Sequence, residues 1–394
     1  IAVGEKGVLT LENIVLDGER DTYKWDLSLL KVENGGSLTL QDGAVFQNNH
    51  TNSNGGAIQV SNGSLFMEGG TIQNNQTSYP GGGIYVYNGH FVLKDGTICN
   101  NTSSSDHGGG IYISGSTTFE MQGGLIKGNK GFYSGGLALT GSVPVKITGG
   151  TITENKTICD VGAGGGILAW CQVEMTGVTI TKNTASHGGG VYIAKNKKWA
   201  AGLEISDSSI TGNYAKEEDG YGDGGGVYVD YSAILTLNNG ASIANNTADC
   251  WGGGIRNLGS VIINGGKIAN NTSASGGGIH NDKTITMTAG EISGNKSTTG
   301  SGGGIYNGLN IVMSGGSITG NIAKSDGGGI NQGHLLQVSE KVRISDNQVD
   351  GGKTSNVFLD HYSYDTENPN CYITIASPGL SSGSQIGVNI NPDK

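Results

Sequence analysis

Three short motifs recur in fixed order along this chain, and a repeat of 24 to 36 residues forces a stacked architecture rather than a globule. The first is an apolar-x-apolar triplet, as in Leu38-Thr39-Leu40, Phe91-Val92-Leu93, Val173-Glu174-Met175, Leu235-Thr236-Leu237 and Ile285-Thr286-Met287. The second is Ile-x-x-Asn, with Phe46 in place of Ile in the first, and with Asn at 49, 75, 101, 129, 155, 183, 213, 246, 271, 295, 321 and 347. The third is Gly-Gly-Gly-Ile or a close variant, whose aliphatic residue falls at 58, 84, 111, 137, 167, 191, 227, 255, 279, 305 and 330. Each motif alternates with the period of two that marks a strand, and Gly, Asn, Ser and Thr rather than helix formers lie between them. Three strands per repeat, with no helix to cover a face, can bury their apolar sides only against one another. The expected fold is therefore all-β, a right-handed parallel β-helix of about 12 to 13 coils with three short strands per coil. Residues 1–350 form its repeat region. Residues 351–394 supply terminal coils and a C-terminal cap, needed because an open end exposes strand edges. A leucine-rich repeat also combines L-x-L with Asn, but it needs a covering segment where this sequence offers a third strand.

Glycine contributes 73 of 394 residues and proline 5, without a G-X-Y period, so the glycine is architectural rather than collagenous. The Gly triplets suit sharp corners and lack phosphate-loop spacing. The Asn column suits in-register side-chain ladders, and the Asn-x-Ser/Thr sequons within it follow from that ladder. Charged residues make up 14%, the net charge is -10, and arginine occurs only at 20, 256 and 343, which excludes a nucleic acid partner. No apolar run approaches the roughly 20 residues of a membrane-spanning segment. The first residues already read as repeat, as in a segment of something longer. Five cysteines (99, 159, 171, 250, 371) give no metal-binding spacing, and a Cys159–Cys171 bridge is the pairing considered.

The alternating motifs Gly-Gly-(Gly/Ala)-Ile and (Ile/Phe)-x-x-Asn, over residues 42 to about 347, resemble the repeats of chlamydial polymorphic membrane proteins and of adhesin-like β-helix proteins from gut bacteria and archaea. Ile replaces Phe in nearly every second motif. The tail, with Ser355-Asn356-Val357-Phe358-Leu359, Ile373-Thr374-Ile375 and Ile386-Gly387-Val388, resembles the closing coils of large Firmicutes proteins. The resemblance implies a secreted or bacterial cell-surface module that binds host cells or matrix.

The residue after each inward aliphatic of the third motif points outward. Coil by coil these are Gln59, Tyr85, Tyr112, Ala138, Leu168, Tyr192, Tyr228, Arg256, His280, Tyr306 and Asn331, so five of the fifteen tyrosines share one column. Tyr85, Tyr112, Tyr192, Tyr228 and Tyr306, with Trp251, are candidate ligand-binding residues suited to stacking on sugar rings, or else they cover the sheet and stabilise one another. A second mixed column, His107, Tyr133, His187, Asp223, Trp251 and Asp326, precedes the Gly triplets. The longest loop, Tyr214 to Asp223, carries Glu217, Glu218, Asp219 and Asp223, a candidate calcium site or a solvated acidic loop. Asp160, His187, Asp223, Asp249 and Arg256 are the candidate catalytic set if the protein is an enzyme.

The favoured expectation is a carbohydrate- or protein-binding adhesion module that recognises host or environmental glycans or surface proteins and requires no cofactor. The alternative is a glycoside hydrolase or polysaccharide lyase using the carboxylates of coils six to nine. Short loops argue against a walled cleft, and the scarcity of cations argues against a lyase for acidic polymers. A third reading is a structural stalk.

Overall fold

A computed structural model describes residues 1–20, 22, 26–194, 201–217, 220–360 and 371–389. Among the described residues there is no helix, and the chain divides into two compact units, Ile1–Leu203 and Glu204–Lys394. Each is a stretch of right-handed parallel β-helix, and the turns number about 14 in all. The first of them, built from Ala2–Val3, Val8–Leu11 and Val15–Asp17, precedes the first complete set of motifs.

One coil of the first unit shows how sequence becomes structure. Strand Ile84–Tyr87 turns into the long strand His90–Cys99, which ends two residues before the ladder asparagine Asn101 and is followed by Thr102–Ser103 before the chain returns as Ile111–Ser114. All neighbours pair in parallel: Ile84 with Ile111, Phe91 with Phe119, Ile98 with Ile126, Thr102 with Lys130. The three expected strands are present, and each coil adds the two-residue strand after the asparagine. Inward residues of all three motifs, such as Ile84, Phe91, Leu93 and Ile98, are fully buried. The Phe91 and Phe119 rings pack at 5.2 Å between centroids along the core.

The ladder asparagines are fully buried too, so their amides must be paired. Asn129 Nδ2 donates to Ile98 O (2.9 Å) and to Asn155 Oδ1 (3.0 Å), while its own Oδ1 accepts from Asn101 N (2.9 Å). The residue before the ladder asparagine is left-handed, with φ of 56° at Asn74, 55° at Asn100 and 64° at Gly128. That requirement explains the recurring Asn-Asn and Gly-Asn pairs. In the triplet Gly81-Gly82-Gly83, Gly81 has φ of 76°. A Cβ on Gly82 would strike the Gly109 carbonyl, and one on Gly83 would lie 3.1 Å from Asn101 Nδ2. Each glycine is therefore needed for a separate reason.

The second unit repeats this plan, with Val227, Ile255, Ile279, Ile305 and Ile330 in register along one sheet and Asn246, Asn271, Asn295, Asn321 and Asn347 in the ladder. It adds a second internal ladder, in which Asn257 Nδ2 donates to Asn281 Oδ1 and Asn281 Nδ2 to Asn307 Oδ1, both at 2.6 Å, and Asn307 Nδ2 to Gln332 Oε1 at 3.1 Å. Near the C-terminus Gln348–Val349 pairs antiparallel with Lys353–Thr354, which turns the edge of the short-strand sheet back on itself. Asn356 Oδ1 accepts from Asn347 N at 3.0 Å and so extends the asparagine ladder into the last coils. No disulfide joins any of the five cysteines, so the Cys159–Cys171 bridge considered from the sequence is not formed.

Candidate functional site

Parallel register turns one sequence position per coil into one continuous column, so whatever follows the inward aliphatic is displayed in a row. In the first unit Gln59, Tyr85, Tyr112, Ala138, Leu168 and Tyr192 are register partners on the outer face. The Tyr85 and Tyr112 rings stack with centroids 5.6 Å apart and planes 3° off parallel. Burial pushes the Tyr112 hydroxyl above the ordinary phenol range. Other rings gather beside this pair. His107 lies 6.4 Å from Tyr112, 5.0 Å from Tyr133 and 6.0 Å from Trp170, and Phe132 meets Tyr133 edge-on at 4.9 Å. The Asp106 carboxylate fixes the His107 ring through Nδ1 at 2.7 Å. Tyr133 and Trp170 remain 39% and 37% exposed. Farther along the unit, His187 meets Tyr192 edge-on at 6.3 Å, and Asp160 is exposed.

In the second unit the same column reads Tyr228, Arg256, His280, Tyr306 and Asn331, again in register. Its chemistry is different. Arg256 is 5% exposed, pairs through Nη2 with Asp282 Oδ2 at 2.5 Å, and lies under the Trp251 ring with Cζ 5.1 Å from the centroid. His280 is flanked by the rings of Trp251 (5.3 Å) and Tyr306 (4.5 Å), and Asp282 Oδ1 stands 3.7 Å from its Nε2. Burial holds His280 below the ordinary imidazole value, which favours the neutral ring. The backbone N–H of Trp251 donates to Asp223 Oδ1 at 3.2 Å.

The two carboxyls of this cluster are driven apart. Burial raises Asp223 to about 6, against the opposing pull of Arg256. Burial also acts on Asp282, but the contacts of His280 and the charge of Arg256 outweigh it and hold that group at about 2. Asp249 serves the loop instead. Its Oδ2 accepts from the Tyr214 hydroxyl at 2.6 Å and from Glu217 N at 2.8 Å, and so ties down the acidic segment. Burial, then that bond, pushes the Tyr214 hydroxyl up to about 12.

The structure thus gathers Asp223, Tyr228, Trp251, Arg256 and Tyr306 on one face of the second unit, and Tyr85 and Tyr112 on one face of the first. Asp160, His187 and Tyr192 belong to the first unit and Asp223, Asp249 and Arg256 to the second. Of the calcium candidates, Glu217 is exposed and Asp223 buried, while Glu218 and Asp219 lie outside the described residues. Among the described residues, no group of three or more His, Cys, Asp or Glu is placed to hold a metal ion. No described helix is long and apolar enough to cross a membrane. Sequence reasoning missed Trp170 and Asp282. Both lie one residue past the end of their strand, two residues beyond Leu168 and His280, and extending the alternation by one step finds them.

The chain matches the family model described as a right-handed β-helix region over residues 12–171 and 65–248. No curated protein and no solved structure matches it. The family match spans more than half of the chain, the sheets have the topology that the match requires, and the chain belongs to the right-handed β-helix family.

Proposed function

We propose that this chain is an extracellular or cell-surface glycan-binding module that engages sugars through the outer face of its Gly-triplet sheet. The observation that carries this reading is the aromatic group of the first unit, where Tyr133 and Trp170 stand exposed around an ordered Tyr85–Tyr112 stack and an anchored His107. Rigid rings with one apolar face and polar edges stack on pyranose rings at small entropic cost. The same surface would suit a protein partner, and a glycan array read against immobilised mucin polypeptide stripped of sugar separates the two. Retention by sugar and not by the stripped polypeptide is the expected result, whereas retention by neither favours the structural stalk.

One observation favours a second reading, hydrolysis of a glycosidic bond by the second unit. Asp223 at about 6 and Asp282 at about 2 hold opposite protonation states near pH 5, as an acid and a base must. Product analysis on every retained polysaccharide, repeated with Asp223→Asn, tests it. Calcium is not required by either reading, and its addition is expected to leave glycan retention unchanged.

A further inference from the structure

We propose that the second unit carries a separate sugar site of its own, in which Trp251 stacks on a neutral pyranose while one hydroxyl of that sugar reaches Arg256 Nε and His280 Nδ1. This inference shares the ligand class of the proposed function and rests on it only for that class.

Two buried nitrogens motivate the inference. Arg256 Nε and His280 Nδ1 are both shielded from solvent and neither has a hydrogen-bond partner. Such groups are costly to leave bare. Among the described residues Asn49 Oδ1, Gln59 Oε1, Asn331 Nδ2 and Gln332 Nε2 are bare as well. What sets Arg256 and His280 apart is that they stand side by side on adjacent strands beneath an exposed indole. The two residues are register partners on adjacent strands, so their free nitrogens belong to one small region. The Ser275 backbone also faces His280 but closes no hydrogen bond to Nδ1.

The missing group can be named by its chemistry. It must accept a hydrogen bond from the guanidinium N–H, which excludes an ammonium. It must also match the imidazole nitrogen in whichever tautomer is present. A hydroxyl does both, since it donates to a bare nitrogen or accepts from a protonated one while still accepting from arginine. A carboxylate is disfavoured, because Asp282 already neutralises Arg256 and Asp223 lies beside it. The indole supplies the apolar half of the recognition. Trp251 is 45% exposed, its ring packs on Arg256 and His280, and its backbone is pinned by Asp223. To admit a hydroxyl the ring must leave the guanidinium, a cation–π contact that is weak at an exposed tryptophan. The displaced ring then closes on the sugar.

The test uses the intact chain titrated with methyl glucoside, methyl galactoside, N-acetylglucosamine and glucuronate, followed by tryptophan emission and saturation-transfer NMR. In a Trp170→Ala background at least one neutral sugar is expected to shift the emission, and Trp251→Phe removes that shift. Arg256→Lys keeps the charge facing Asp282 and His280→Phe keeps the ring stack, yet each weakens binding by about tenfold through the lost hydroxyl contact. Trp170→Ala takes the indole of the first unit's site out of the readout, so failure of one site is distinguishable from failure of the other. Near-UV circular dichroism establishes that each variant is folded, and Arg256→Lys alone decides the matter if His280→Phe is not. No response to any neutral sugar overturns the proposal, as does an equal response to glucuronate. Unchanged binding in folded Arg256→Lys also overturns it, and assigns the two nitrogens to ordered water only.

Discussion

The two units use one backbone plan and put opposite chemistry at the same two strand positions. In the first unit the Gly-triplet strand reads Ile-Tyr-Val at residues 84–86 and Ile-Tyr-Ile at 111–113, with aliphatic residues inside and rings outside. In the second it reads Ile-Arg-Asn at 255–257 and Ile-His-Asn at 279–281, with an amide ladder inside and an ionic cluster outside. The same register serves both because parallel stacking asks only that each residue suit the one above and below it. Rings stack on rings, amides bond amides, and arginine lies beside histidine. The scaffold is thus indifferent to which column it displays, and the outer face can diverge while the asparagine ladder and the glycine corners do not.

The largest effect should fall on what the units share. Replacing Asn129 or Asn295 by Ala strips the donors and acceptors that join three successive coils, and each is expected to cost about 3 kcal/mol or more in chemical denaturation. A unit that tolerates its substitution would break the claim of a common scaffold. Next comes Arg256→Ala, which leaves Asp282 without its cation and is expected to cost about 2 kcal/mol, below the range for wholly buried pairs because Asp282 is 38% exposed. An equal cost for Tyr112→Ala would erase the contrast between ionic and aromatic faces.

Titration sharpens the contrast further. Asp223 holds its proton in the folded state up to about pH 6 but releases it near 3.8 when unfolded, so the folded state binds more protons between those values. Stability should therefore fall by roughly 2 kcal/mol as the pH rises from about 4 to 6, and Asp223→Asn should abolish that fall. Asp282 acts in the opposite sense, since its folded value is depressed to about 2. Its contribution is complete above about pH 4 and is lost as the pH drops toward 2. Thermal melts of the wild type and Asp223→Asn across this range check both signs. The smallest stability effect belongs to the exposed rings: Tyr133→Ala or Trp170→Ala should change stability by less than about 1 kcal/mol.

The coil plan is legible in the sequence because a repeat averages out local ambiguity: a single (Ile/Phe)-x-x-Asn is weak evidence, and twelve in order are not. The outward column is legible for the same reason, since alternation fixes which face Tyr112 or Arg256 occupies. Three features are not. The inner ladder of Asn257, Asn281 and Asn307 lies at a position where the first unit has Val86 and Ile113, so no average over the repeat reveals it. Asp249 reads as a catalytic candidate in the sequence and is bound by Tyr214 and Glu217, a contact set by the path of an irregular loop. The Trp251 ring lies over the buried Arg256 guanidinium while its backbone N–H meets the buried Asp223, an arrangement that residue spacing does not encode.

The most direct test of the central claim is a glycan array probed with the intact chain beside two folded variants, the double change Tyr133→Ala and Trp170→Ala in the first unit and Asp223→Asn in the second. Retention of a defined set of glycans, diminished in the first variant to what Trp251 holds, preserved in the second and accompanied by no cleavage product, is what the account predicts. A glycan set left undiminished by loss of both exposed rings would contradict it, as would cleavage that disappears with Asp223→Asn, which would move the function to the ionic face.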